Sequence, residues 1–220
     1  MKTGLLPVLN LTFSILAVML CFIPIILYWR KRLAPEKSFL VVALFWTING
    51  ITYIPEIFNW QWYNSVTNQI TQVYNLIDAP LIIIFFYYFF RKIFFQYLLF
   101  SFIIFEAIII TWKGFTLDAD TIIIGLGSFI CLVLNIWSIS IFFRKMQHST
   151  SENVMGFVNA GFIFYYGLFT VIYIFNYVNF SPVTLPYLKF INYFIICIAT
   201  GLISFGIWKY AVAQYREERY

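Results

Sequence analysis

The chain has 220 residues, of which 62% are hydrophobic, 23% are aromatic and only 10% are charged. Because a soluble domain carries about 25% charged residues, this composition excludes an ordinary globular enzyme, a disordered tail and a nucleic-acid-binding protein. It predicts an all-α, polytopic membrane protein that lies in a lipid bilayer.

Seven stretches of the chain are apolar and about 20 residues long, the length that a helix needs to cross a bilayer. In chain order we predict the spans Leu5–Trp29, Ser38–Phe58, Asn68–Phe90, Phe94–Trp112, Thr121–Phe143, Val154–Tyr177 and Tyr187–Lys209. The connections between them are short, so we expect a single seven-helix transmembrane domain over residues 1–220 and no separate soluble domain.

Basic residues follow the odd-numbered spans. They are Arg30, Lys31, Arg32, Lys37, Arg91, Lys92, Arg144, Lys145, Lys209, Arg216 and Arg219, whereas the opposite loops hold only Lys2 and Lys113. Since the cytoplasmic loops of membrane proteins are enriched in basic residues, we predict the N-terminus outside and the C-terminus in the cytoplasm. The net charge of +5 is therefore interpreted as a topology signal.

Tryptophans support these span ends, because they are enriched where a membrane meets water. Those near the predicted ends are Trp29, Trp60, Trp62, Trp112 and Trp208. Trp46 and Trp137 lie away from the ends, and we expect both to pack inside the bundle.

Few residues could bind a metal or a cofactor. Cys21, Cys131 and Cys197 all lie within spans, so no disulfide framework is expected. The one histidine, His148, lies in a predicted cytoplasmic loop, where we expect a solvated side chain. A single histidine excludes bis-histidine haem and argues against a zinc site. We therefore expect no cofactor, no metal and no catalytic residues.

Asp78 is the only aspartate within a predicted span, about 15 Å below the predicted outer end at 1.5 Å per residue. Tyr74 and Asn75 precede it on the same helix face. Pro80 leaves the carbonyl group of Leu76 without its helical partner. Polar groups are costly at this depth, so the segment indicates either a ligand or proton site or a polar network that fixes helix packing.

Further polar residues lie in the outer half of the predicted spans or near mid-depth. Those considered as ligand-binding candidates together with Asp78, Asn75 and Tyr74 are Asn49, Glu56, Glu106, Lys189 and Asn192. Glu56 could instead reach the lipid headgroups, and Lys189 could extend outward along the helix. Their common position predicts a polar pocket open to the outside. Asn159, Tyr166 and Tyr173 repeat every seven residues along the sixth span, and we interpret them as an ordinary packing stripe.

A weak internal repeat relates residues 38–92 to residues 155–209 without a gap. Eleven of the 55 aligned pairs are identical, among them Phe45/Phe162, Gly50/Gly167, Asn75/Asn192 and Lys92/Lys209. Weak internal similarity is typical of transporter repeats. It predicts two parallel three-helix halves, within residues 1–92 and 121–209, joined by the fourth span.

This 3+1+3 plan with an outside N-terminus resembles the SWEET sugar carriers, related PQ-loop-like proteins and the KDEL receptor. In SWEET carriers a pair of asparagines on the third and seventh spans lines the central pocket, and Asn75 and Asn192 match that pair. Pro24 lies where that family has a hinge proline. The chain departs from the family pattern in lacking the Pro-Gln signature and a proline in the fifth span.

The resemblance, the repeat and the acid at mid-depth favour a carrier for a small polar or cationic solute. Asp78 would bind the solute or a proton, and the halves would rock about the hinge residues Pro24, Pro55 and Pro80. The alternatives are a membrane sensor or receptor, or an accessory subunit, each acting through a membrane or cytoplasmic protein partner. A lipid-modifying enzyme is the last alternative, although no residue spacing marks an active site. The amino-acid composition suggests an AT-rich genome, so we expect a bacterial inner membrane.

Overall fold

The computed structural model describes residues 5–30, 37–58, 61–177 and 185–217, with the backbone alone at 5, 56, 61–68, 174–177, 185–186 and 213–217. Within these ranges every regular element is an α-helix, which confirms the all-α prediction. The helices are α1 (Leu5–Cys21), α2 (Ile23–Arg30), α3 (Lys37–Ile57), α4 (Gln61–Phe90), α5 (Phe94–Lys113), α6 (Leu117–Arg144), α7 (Thr150–Tyr177) and α8 (Leu185–Glu217).

In the described part of the chain, seven helical segments are long and apolar enough to cross a membrane, with α1 and α2 together forming the first. The predicted number and order of spans are therefore confirmed, and the chain has the character of a multi-pass membrane protein. Among the residues used to predict orientation, Lys2, Lys31, Arg32 and Arg219 lie outside the described residues, and Arg216 is described by its backbone only.

Helix α6 begins at Leu117, four residues before the predicted start of the fifth span. The side-chain oxygen of Thr116 accepts a hydrogen bond of 3.3 Å from the backbone N–H of Ala119 and so caps the helix. Asp118 and Asp120 lie in the first turn, where the helix dipole favours acidic side chains. Asp120 therefore belongs to a span, and the expectation that Asp78 is the only such aspartate is wrong.

The helices pack as a closed ring in chain order. Helices α1 and α2 contact α3 and α8, and the ring continues through α3–α4, α4–α6, α6–α7 and α7–α8. Helix α5 lies at the periphery, because it packs against α4 and α6 while these two helices also contact each other directly. The interior of the ring is thus formed by six spans.

Aromatic and branched apolar side chains fill the predicted cytoplasmic half of this ring. Trp46, Phe45 and Phe162 are fully buried, and the rings of Trp46 and Phe162 stack with centroids 6.1 Å apart. The outer surface carries exposed apolar residues such as Met19 and Phe129. An apolar exterior around a packed interior suits a protein surrounded by lipid.

Tryptophan positions follow the sequence prediction with one exception. Trp29, Trp112 and Trp208 are exposed near the ends of the candidate membrane spans, and Trp46 is buried, as predicted. The side chains of Trp60 and Trp62 lie outside the described part of the chain. Trp137 is 37% exposed, with the ammonium group of Lys92 5.5 Å from the centre of its ring. The expectation that Trp137 packs inside is therefore wrong.

Candidate functional site

A cavity of about 600 Å³ lies between the helices at the end of the bundle where α4, α6 and α8 begin. This end is the one predicted to face outside, and we call the cavity the outer cavity. Its lining residues are Thr52, Tyr53, Thr71, Tyr74, Asn75, Asp78, Ala79, Asp120, Ile123, Ile124, Gly127, Ser128, Tyr165, Tyr166, Phe169 and Lys189. Thr71 and Lys189 are exposed, whereas Tyr165 and Tyr166 are buried. The cavity therefore has an exposed polar rim and an aromatic wall.

Two phenol groups hold the carboxyl group of Asp78. The hydroxyl of Tyr74, one turn earlier on α4, donates to Oδ1, and the hydroxyl of Tyr166 on α7 donates to Oδ2, each at 2.9 Å. Hydrogen bonds to a carboxylate are among the stronger ones in proteins. Asp78 is consequently fixed in position between α4 and α7.

Behind these phenols, Asn49 on α3 extends the network. Its side-chain amide donates to the hydroxyl of Tyr74 at 2.7 Å and to the hydroxyl of Tyr165 at 3.2 Å. Asn49 is fully buried and does not line the cavity. It therefore positions the phenols that do.

Asp120 supplies a second carboxyl group. The amide nitrogen of Asn75 donates to Oδ1 of Asp120 at 2.8 Å and to Oδ2 at 3.0 Å. This contact joins α4 to the first turn of α6. The α4 segment thus presents two acidic groups to one cavity: its own Asp78, and Asp120 held through Asn75.

Both acids of the cavity lack an ion pair within the described part of the chain. Among the residues that the structure describes, neither Asp78 nor Asp120 forms a salt bridge. Lys189 lies at the exposed rim. Two carboxyl groups beside aromatic side chains such as Phe169 can bind a small organic cation, through charge and through the faces of the rings.

The predicted ligand-binding residues separate into four groups, of which the last is Glu106 alone. Tyr74, Asn75, Asp78 and Lys189 line the outer cavity. Asn49 and Asn192 lie behind it, and Asn192 donates a hydrogen bond of 3.0 Å to the hydroxyl of Tyr53 in the cavity wall. The side chain of Glu56 lies outside the described residues.

Glu106 lies apart from the other candidates. It is buried on α5 near Phe102 and Ile109 along the same helix face, and it does not line the outer cavity. Its Oε1 atom has no hydrogen-bond partner among the described residues. The structure therefore does not bring Glu106 together with Asp78.

Asp120 is not among the candidates predicted from the sequence, and Tyr166 was predicted only to contribute to helix packing. The predicted fifth span begins at Thr121 and leaves Asp120 outside it, although Thr116 followed by acids at positions 118 and 120 is a recognisable helix start. Tyr166 was interpreted as packing, as were Asn159 and Tyr173. Each of the three makes a hydrogen bond to a neighbouring helix, at 2.6 to 2.9 Å. No signal within the sixth span distinguishes these residues from other aromatic and amide residues.

The three predicted hinge prolines lie at different kinds of position. Pro24 follows the interruption between α1 and α2 at Phe22. Pro55 lies in the last turn of α3, and Pro80 lies within a continuous α4. Of the three prolines, Pro24 alone lies beside a break between two helices, the kind of position at which a helix can bend.

A second cavity, of about 360 Å³, lies at the opposite end of the bundle and is called the inner cavity. Its lining includes Phe89, Arg91, Ser138, His148 and Met155. The His148 ring stacks on Phe142 at 3.8 Å, and its Nδ1 atom is buried without a partner among the described residues. The expectation of a solvated histidine is therefore wrong.

Comparison with known proteins gives no assignment. No protein-family model, curated protein or solved structure matches the chain. Among the described residues, no group of three or more His, Cys, Asp or Glu side chains is placed to hold a metal ion. The function must therefore be argued from the two cavities and from the helices that form them.

Proposed function

We propose that this protein is an integral membrane carrier for a small cationic solute, which binds in the outer cavity beside Asp78 and Asp120. The observation that carries the proposal is the presence, in one cavity of about 600 Å³, of two acids that form no salt bridge with any described residue. Acidic groups within a membrane domain are costly and are typical of solute or ion pathways.

The pattern of helix contacts supports a carrier with two parallel halves. In the repeat that aligns residues 38–92 with 155–209, α3 and α4 correspond to α7 and α8, and the same offset sets α1 and α2 against α6. Under this correspondence, the contact between α1 and α8 is equivalent to the contact between α6 and α4. In the same way, the contact between α3 and α4 is equivalent to the contact between α7 and α8. The remaining contacts of α1 and α2 with α3 correspond to that of α6 with α7. Only the contacts of α5 have no counterpart, as expected for a linker helix.

The two cavities also support a carrier. They lie at opposite ends of the bundle, and residues of α4, α6 and α7 line both. A carrier that rocks about a central barrier exposes its solute site to each side in turn. In a sensor the outer cavity alone would be sufficient.

The first experiment measures binding and uptake separately. Purified protein is titrated with tetramethylammonium, choline and putrescine while its thermal stability is followed. A ligand at 100 times its Kd stabilises the folded state by about 2.7 kcal/mol. Proteoliposomes are then tested for uptake of each amine that binds.

Asp78→Asn is compared with wild type and with Asp118→Asn. Asp118 is an exposed acid at the same end of the bundle that does not line the cavity. We expect Asp78→Asn to abolish binding and uptake, and Asp118→Asn to retain both. Binding without uptake would instead support a sensor, and the absence of binding by all three cations would contradict the proposed solute class.

A further inference from the structure

The outer and inner cavities are connected by one face of each of three helices. Residues spaced three or four apart lie on one helix face. On α4 this face consists of Asp78, Ile82, Phe85 and Phe89. On α6 it consists of Ser128, Cys131, Asn135 and Ser138, and on α7 of Tyr166, Phe162, Asn159 and Met155. On each helix the first residue lines the outer cavity and the last lines the inner cavity. The six residues between them are fully buried or nearly so.

Half of this barrier is apolar. Ile82, Phe85 and Phe162 are buried, and the rings of Phe85 and Phe162 have centroids 5.9 Å apart. From Asp78 to Phe89 the distance along α4 is about 17 Å at 1.5 Å per residue. The barrier between the cavities is therefore about three helical turns thick.

The other side of the barrier is polar, which a merely structural core does not require. Asn135 and Asn159 are both fully buried. Asn135 donates to the backbone oxygen of Cys131 at 2.7 Å, and Asn159 donates to the hydroxyl oxygen of Ser138 at 2.7 Å. The Oδ1 atoms of both asparagines have no partner among the described residues. Burying such acceptors without hydrogen bonds destabilises the closed barrier.

We propose that Asn135, Ser138 and Asn159 form the inner polar cluster, a second site on the solute's path between the outer and inner cavities. The inference rests on the proposed carrier function and identifies where the solute leaves the outer cavity. The two amide oxygens and the Ser138 hydroxyl accept the N–H groups of a protonated amine, or of water, when the apolar side of the barrier separates. In the arrangement described above, neither amide oxygen accepts a hydrogen bond from a described residue.

The position of Cys131 makes the proposal testable with a native residue. Cys131 is fully buried between Ser128 and Asn135, so it is shielded from both ends of the bundle in the closed arrangement. Cys21 is equally buried but lies on α1, away from the three faces. If the barrier opens inward, a water-soluble thiol reagent reaches Cys131 and not Cys21.

The experiment applies a membrane-impermeant cationic methanethiosulfonate to vesicles with the cytoplasmic face outward. One variant retains Cys131 alone (Cys21→Ala, Cys197→Ala) and a second retains Cys21 alone (Cys131→Ala, Cys197→Ala). A third variant carries Ser138→Cys without native cysteines and reports access to the inner cavity. We expect modification of Ser138→Cys and of Cys131, and at least a tenfold lower rate for Cys21.

A further substitution separates passage from folding. Asn135→Leu replaces an amide that has an unpartnered acceptor by an apolar side chain of similar size. We expect unchanged or higher thermal stability, retained binding of the amine at the outer cavity and at least a tenfold lower rate of Cys131 modification. Unmodified Cys131 beside a reactive Ser138→Cys would overturn the proposal, as would a Cys131 rate that Asn135→Leu leaves unchanged. Because the labelling needs no solute, failure to bind any amine would contradict the proposed function without altering this result.

Discussion

The hydroxyl of Tyr166 donates a hydrogen bond of 2.9 Å to Oδ2 of Asp78, which links α7 to α4 across the outer cavity. The other oxygen of the same carboxyl group accepts from Tyr74, a residue of α4 itself. One bond is therefore local to α4, and the other spans two helices. Any movement that separates α7 from α4 breaks the second bond and leaves the first intact.

We expect Tyr166→Phe to lower the free energy of unfolding by about 1.5–3 kcal/mol, the range for a hydrogen bond to a charged group. Tyr97→Phe is the matched control, since Tyr97 lies on α5 and is exposed. Its effect should stay within about 0.5 kcal/mol. Denaturation in detergent measures both, and equal effects would contradict the importance of the Tyr166–Asp78 contact.

The contact between Asn75 and Asp120 can be measured by a double-mutant cycle. The variants Asn75→Ala and Asp120→Ala and their combination should show a coupling energy of about 0.5–3 kcal/mol, as residues in direct contact do. The same cycle with Asp118→Ala should be additive within about 0.5 kcal/mol, because Asp118 is exposed on the same turn of α6. Additivity in both cycles would show that the hydrogen bond between Asn75 and Asp120 does not contribute to stability.

Close packing of α7 on α8 depends on Gly161. A Cβ atom at Gly161 would lie 2.9 Å from the backbone oxygen of Ala199 and 2.7 Å from a side-chain carbon of Ile203. We expect Gly161→Ala to destabilise the protein by about 1–3 kcal/mol, as overpacking of a core does.

Gly201→Ala is the control for Gly161→Ala, since a Cβ atom at Gly201 would meet nothing within 4 Å. Alanine is favoured over glycine within a helix, so this variant should gain about 0.4–1 kcal/mol. Thermal unfolding of the two variants in parallel tests the pair. Destabilisation of similar size in both variants would contradict the proposed importance of close packing at Gly161.

The predicted orientation is tested by two loop cysteines in a background without native cysteines. Phe115→Cys lies between α5 and α6, and Met146→Cys lies between α6 and α7; both positions are exposed. On intact cells an impermeant maleimide should label Phe115→Cys, and it should label Met146→Cys only after permeabilisation. The reverse pattern would place the cavity with the two acids on the cytoplasmic side.

Hydrophobicity by itself determined the seven spans and their order, because a run of about 20 apolar residues is readable without knowledge of its neighbours. Local spacing likewise predicted that Tyr74 and Asn75 share a face with Asp78, since residues three and four apart are neighbours on a helix. Helix starts were less accurate. The predicted fifth span begins at Thr121, whereas Thr116 caps a helix that begins at Leu117 and includes Asp120.

Tertiary structure alone decided which distant residues meet. Tyr166 reaches Asp78 over 88 positions of sequence, and Asn75 reaches Asp120 over 45. Such pairs depend on the order and rotation of the packed helices, and the sequence of a single helix does not encode either one locally. Glu106 and Asp120 are both acids within candidate membrane spans, yet of the two only Asp120 lines the outer cavity. The difference arises because α5 is displaced to the periphery of the ring by the direct contact between α4 and α6.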